Sequence, residues 1–283
     1  MEQDAIPFTA GTQPPRIPVP PGAVDCHYHV YDPAAPVAPG ARSHAAARIE
    51  DHQRLLARLG VERHVLVQPS TYGFDNALHL ATLDRAGRQR ARMVAVVPPD
   101  APVAGLRAMG ERGVVGARAN LISSALMGLE DVAPLMRRLA EVGWHLQVFA
   151  TAEMIAILGP VLRAAPCAVV FDHFAQLPLQ GWTAHPAWGV VMDLLQAGRG
   201  WVKLSSPYSL DQGNPLAVGE LARALVAAAP ERLVWGTNWP HPNAERLPDD
   251  AALLDTLAGW APEEATRRAI LVDNPARLYR FSG

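Results

Sequence analysis

Only two cysteines occur in the 283 residues, Cys26 and Cys167, so no disulfide framework is expected and a reducing compartment, the cytoplasm, is the natural setting. No run of about 18 apolar residues appears, and positions 1–21 are polar and proline-rich without an apolar stretch, so neither a membrane span nor a secretory leader is expected. An excess of charge of one sign is missing too. The 25 basic and 27 acidic residues leave a net charge of -2, and no cluster of Lys or Arg forms the footprint of a nucleic-acid binder. With 49% apolar and 18% charged residues there is no room for a disordered acidic or basic module. The expected partner is a small, anionic molecule, with no nucleic acid and no membrane, and assembly into a homo-oligomer is left open.

What is present is a repeating grammar of strands and helices. Strands are expected near 24–31, 63–68, 93–97, 114–120, 144–149, 168–172, 201–204 and 232–235. Helices are expected over 49–59, 75–85, 102–112, 131–142, 152–163, 186–196, 215–229, 250–259 and 262–271, with 274–279 as a terminal tail. Runs such as Val65-Leu66-Val67 and Ala168-Val169-Val170-Phe171 are apolar throughout, as in a parallel sheet covered on both sides. No Gly-x-Gly-x-x-Gly follows the first strand, which removes the signal of an open dinucleotide-binding sheet. The reading is an α/β fold, a distorted (βα)8 TIM barrel over 23–283 preceded by a proline-rich arm over 1–22 that wraps its outside.

Barrels of this kind carry their chemistry at the carboxyl ends of the strands. In the first strand, simple alternation puts Asp25, His27 and His29 on one face, which costs several kcal/mol if buried without partners. A metal, an anion or a network of acid-base groups would satisfy that face; an edge strand wetted by water would do so without any function. His27, His29 and His173 at one rim form a set of imidazoles. They either hold a divalent metal with one open position or, metal-free, polarise a carbonyl and move protons. Arg118 and Asn120 share a face, and Arg118 calls either for a substrate carboxylate or for a barrel-interior salt bridge with Asp25 or Asp172. Ser70, Tyr72 and His241 complete the expected substrate contacts, His241 being held between Pro240 and Pro242. His44, His52, His64, His79, His145 and His185 fall where solvated or capping roles are usual.

Asp25-Cys26-His27-Tyr28-His29, Val67-Gln68-Pro69-Ser70, Gly116 to Leu121, Asp172-His173-Phe174, Trp235 to Pro242 and Asn274 to Tyr279 together resemble the amidohydrolase superfamily, of the amidohydrolase-2 type. Within it they are similar to the lactonase branch of 2-pyrone-4,6-dicarboxylate lactonase and 4-sulfomuconolactone hydrolase, over Pro20 to Tyr279. The resemblance implies a hydrolase that adds water to a small carboxylated lactone in the breakdown of aromatic or sugar-derived acids. It places His27, His29 and His173 around the carbonyl oxygen and the water-activating group at position 238, with either no cofactor or one zinc ion. Two departures bear on this. The family's aspartate base is here Asn238, which accepts no proton near neutral pH. Ser124, Ser209 and Phe149 stand where that branch has two arginines and a tyrosine, so fewer substrate carboxylates are expected. A zinc-dependent decarboxylase of an aromatic acid and a non-catalytic ligand-binding homologue are the alternatives.

Overall fold

A computed structural model describes residues 5–123, 126–211 and 215–281. Eight parallel strands in chain order form one sheet: β1 (Val24–Tyr28), β2 (Arg63–Val67), β3 (Ala91–Ala95), β4 (Val114–Asn120), β5 (His145–Phe149), β6 (Val169–Phe171), β7 (Gly200–Ser205) and β8 (Leu233–Gly236). The bridge between Tyr28 and Trp239 closes it, supported by bonds from Asn238 N to His27 O (2.7 Å) and from His29 N to Trp239 O (2.8 Å). The expected (βα)8 barrel is therefore the observed architecture.

Helices cover the outside because their apolar stripes match the outward strand residues. In α1 (Ile49–Leu59) the buried set Ile49, His52, Leu55, Leu56 and Leu59 follows the helical period, and Gly60 ends the helix in the left-handed region at φ 72. The chain continues through α2 (Ala77–Ala86), α3 (Val103–Arg112) and α4 (Val132–Glu141). The helix expected over 152–163 is divided into α5 (Ala152–Ile157) and α6 (Gly159–Arg163), because Pro160 supplies no N–H to continue the ladder. After α7 (Pro186–Gln196) and α8 (Pro215–Ala228) come α9 (Asp250–Asp255), α10 (Leu257–Trp260) and α11 (Glu264–Arg268). The expected terminal tail is instead helical, α12 (Asn274–Tyr279), with Pro275 in its first turn where a missing N–H costs nothing.

Inside the barrel, Val24, Cys26, Val65, Val67, Val94, Val170 and Val234 form an apolar layer with Trp201 and Tyr279. The register slips by one residue in β1, between Asp25 and Tyr28, and in β4, between Val114 and Gly116. Such bulges re-aim the side chains that follow them. Ahead of the barrel, Phe8 packs edge-on against Trp239, and Trp239 Nε1 donates to Pro7 O; Arg16 pairs with Asp255. Among the described residues no helix is long and apolar enough to cross a membrane.

Candidate active site

The bulge in β1 corrects the simple alternation. Asp25 does not share a face with His27 and His29; it is bonded from the helix side by His52 Nε2 (2.9 Å) and by Thr237 Oγ1 (2.7 Å), while Tyr28 stacks on His52. His27 and His29 turn inward. Strand β8 comes so close here that position 236 must be glycine, since a Cβ would lie 2.7 Å from His27 N.

His27 meets Lys203 of β7 and Asp172 at the end of β6, which are in turn bonded to Gln147 of β5 and Arg118 of β4. Its Nδ1 is 3.3 Å from Lys203 Nζ and 3.3 Å from Asp172 Oδ1. The ammonium donates to Cys26 O (2.9 Å) and Gln147 Oε1 (2.7 Å), and Asp172 Oδ2 accepts from Arg118 Nε (2.9 Å) and Gln147 Nε2 (3.1 Å). The barrel-interior pairing of Arg118 with Asp172 is thus real. Of the guanidinium only Nε is used among the described residues, so its terminal nitrogens remain for an anion above Phe149.

Burial holds the imidazoles of His27 and His29 well below their ordinary pKa, helped by the charges of Lys203 and Arg118 respectively, so both rings are neutral near pH 7. Their tautomers then follow. Val67 O only accepts, so His29 Nδ1, 2.8 Å away, carries the proton and His29 Nε2 is bare. His27 Nε2 lies 3.3 Å from that bare nitrogen and must donate, which leaves His27 Nδ1 bare to accept from Lys203. The 3.3 Å approach of Asp172 Oδ1 to His27 Nδ1 is accordingly a contact without a hydrogen bond, and Asp172 Oδ1 has no bonded partner. Burial opposes ionisation of Asp172, yet His27, Arg118 and Lys203 hold its carboxyl well below the usual range. Burial lowers Lys203 to about 8, against the pull of Asp172.

His173 follows β6 in a turn whose residues His173, Phe174, Ala175 and Gln176 all have positive φ, between 48° and 58°; each such non-glycine residue stores of order 1–2 kcal/mol. The turn sets His173 Nδ1 at 2.8 Å from Ser205 Oγ, with the ring 4.7 Å from that of His27. Burial brings His173 down to about 4, so it too is neutral.

The side chains expected to contact substrate divide. Arg118 faces the imidazoles. Asn120 organises its own loop, donating to Ser70 Oγ (2.7 Å) and Ser123 Oγ (2.7 Å), and Tyr72 OH is tied to the backbone of Asp32. His241 spends both ring nitrogens internally, on Tyr208 OH (2.8 Å) and Asp250 Oδ2 (3.2 Å), so it offers no free nitrogen to a ligand. Its ring instead walls a cavity of about 280 Å³ together with Phe8, Tyr31, His44 and Leu247. Ser124 lies outside the described residues. The histidines expected to be solvated are mostly not: His52, His64, His79 and His145 are buried, and only His185 caps a helix, α7.

Lys203 belongs to no motif that would give it a role from the sequence. Yet it is the only lysine of the chain among 25 basic residues, the other 24 being arginine. A lone lysine in an arginine-based sequence marks a place where a compact ammonium fits and a guanidinium fork does not.

By position, His27, Asp172 and His173 could hold a metal, their ligand atoms lying within 4.8 Å of one another; His29 is not in that group. Their charge environment does not suit one. Asp172 already faces Arg118 and Lys203, and the His27 nitrogen on that side faces the same ammonium, so a divalent ion there would meet two cations at contact range.

An amidohydrolase family model matches residues 24–281. The 4-sulfomuconolactone hydrolase of Hydrogenophaga intermedia is 32% identical, covering 94% of this chain and 91% of that one. The D-galactarolactone isomerase of Agrobacterium fabrum is 31% identical over 93% and 92% of the two chains. A ligand-free crystal structure from Agrobacterium tumefaciens superposes with a TM-score of 0.88 at 28% identity, covering 97% of this chain and 99% of that one. With the barrel, the β1 histidines and the His173 turn in place, these matches show that the chain belongs to the amidohydrolase family.

Proposed function

We propose that the protein is a lactonase opening a small carboxylated lactone derived from an aromatic or sugar acid, and that the opposite tautomers of His27 and His29 carry the reaction. A substrate carboxylate seats on the terminal nitrogens of Arg118. The lactone carbonyl oxygen takes the Nε2–H of His27 in place of His29, and His173 stands beside it. Water held by Asn238 attacks the carbonyl carbon and gives its proton to His29 Nε2. The tetrahedral oxyanion stays on His27, the ring C–O bond breaks, and the His29 proton passes to the departing alkoxide, giving the hydroxy acid. Lys203 supports the oxyanion from behind, because its ammonium keeps His27 Nδ1 bare and Nε2 protonated.

The carboxylate does more than anchor. Arg118 is one of the charges that depress His29, so an anion on Arg118 offsets that charge and makes His29 the better base when substrate is present. No step requires a metal, in keeping with the cations around Asp172.

One observation favours a second reading: Asn238 supplies no carboxylate base for water. A hydroxyl of the substrate attacking its own lactone carbonyl needs only His29, and would move the lactone linkage rather than hydrolyse it, as the name of the Agrobacterium fabrum relative describes for that protein. Turnover of five- and six-membered aldarolactones and muconolactones in ¹⁸O-labelled water decides between them. Lactonase action places one ¹⁸O in a ring-opened acid; isomerisation yields a new lactone without label; no change in any lactone rejects both.

A further inference from the structure

Behind Asn238 runs a chain of polar side chains that the reaction described above leaves unused. Asp250 Oδ2 lies 3.2 Å from His241 Nε2, His241 Nδ1 lies 2.8 Å from Tyr208 OH, and Asn238 Nδ2 lies 2.9 Å from the same hydroxyl. Asp250, His241 and Asn238 are all buried, and none of the three pairs is adjacent in sequence. Asn238 and His241 both sit in the left-handed region, at φ 64 and 59, and His241 N bonds Asn238 O (2.8 Å), so the backbone is bent to bring these side chains into line.

The protons in this chain run in one direction. A carboxylate only accepts, so His241 Nε2 carries a proton, and in the neutral ring Nδ1 is bare. Burial raises Tyr208 above its ordinary value, so the phenol keeps its proton and donates it to Nδ1, while the side chains of Ser206 and Asn238 both bond the phenol oxygen. The phenol oxygen is then an acceptor, and of the two ends of the Asn238 amide only Nδ2 can satisfy it. The reverse orientation would place Asn238 Oδ1 against an oxygen whose proton is already committed to His241. Asn238 Oδ1 has no bonded partner among the described residues.

We propose that Asp250, His241 and Tyr208 are positioning residues that latch the Asn238 amide, so that Oδ1 alone is presented to the attacking water or hydroxyl. The proposal rests on the lactone reading above. An amide has a right and a wrong end where a carboxylate has two equivalent ones, so a chain with asparagine at this position needs a latch that an aspartate would not. His241 thereby acts through Asn238 and not on the ligand.

The test is a double-mutant cycle on the full chain. Tyr208→Phe removes the latch and should lower kcat at least tenfold with KM changed less than twofold. In an Asn238→Asp background the same substitution should cost less than about threefold, because either oxygen serves. Equal losses in the two backgrounds, or a loss carried by KM, would overturn the proposal. A second readout needs no turnover, and its first part, on the wild-type protein, needs no variant. ¹⁵N spectra of the histidine rings should show His241 with Nδ1 bare and Nε2 protonated, and in Tyr208→Phe the side-chain amide signal of Asn238 should move. Should the wild-type protein convert no lactone, the proposed function fails and the spectra alone decide the latch: a His241 protonated at Nδ1 overturns it.

Discussion

Strand β1 separates two networks of histidine and aspartate that differ in one respect. On the helix side, Asp25 accepts from His27 N, Thr237 N, Thr237 Oγ1 and His52 Nε2, so both its oxygens are filled and it clamps β1 to the end of β8. On the barrel side, Asp172 has one filled oxygen and one without a bonded partner, and the imidazoles around it touch chiefly one another. A saturated carboxylate holds structure; an unsaturated one, surrounded by neutral rings and two cations, holds potential for chemistry. Burial alone does not distinguish them, since Asp25 and Asp172 are equally inaccessible.

That contrast is broken most strongly at His29. His29→Asn removes the imidazole proposed to take the proton from water and should lower kcat about 10³-fold while the thermal midpoint stays near that of the parent. Asp25→Asn should do the opposite. It replaces one accepting oxygen by a donor facing donors, and urea unfolding should show a loss of about 3 kcal/mol, with kcat of the folded fraction within about threefold. If either variant damages both properties equally, the two networks are one.

A smaller effect follows from Lys203. Its ammonium is present below about 8 and lost above, so kcat should fall with rising pH on a limb near 8 and hold steady down toward about 4, where His173 takes up a proton. Because the chain has a single lysine, ¹⁵N-lysine labelling gives one side-chain signal whose titration must coincide with that limb. Smallest is Ser205→Ala, which frees His173 Nδ1 and should reduce kcat about fivefold, about 1 kcal/mol, with no change in the pH limb.

Much of this molecule is legible in its sequence. Alternating apolar strands and helical stripes give the barrel, and the His-x-His run, Arg118 and His173 fall at the strand ends where such barrels do their work. What escapes are features of registry and long-range pairing. Period-two reasoning puts Asp25 beside His27 because it has no means of seeing an extra residue in β1. His52 reads as a helix-surface histidine, since the carboxylate that buries it lies 27 positions away. His241 reads as a ligand contact because its two partners lie 9 and 33 positions away, at the start of α9 and in the turn after β7. Lys203 had a compositional signal, its solitude among arginines.

The slips in β1 and β4 carry one further consequence. In a regular strand the floor of a barrel and its mouth are geared together, so that any change of phase that suits valine below turns the residues above to the wrong side. One added residue in each of these strands works as a clutch. Below it, Val24 and Val114 keep step with the sheet; above it, His27 and Arg118 are set by their own contacts. The floor is thereby free to vary by a methyl group here or there without rotating the mouth, and new chemistry at the mouth leaves the floor packed as before.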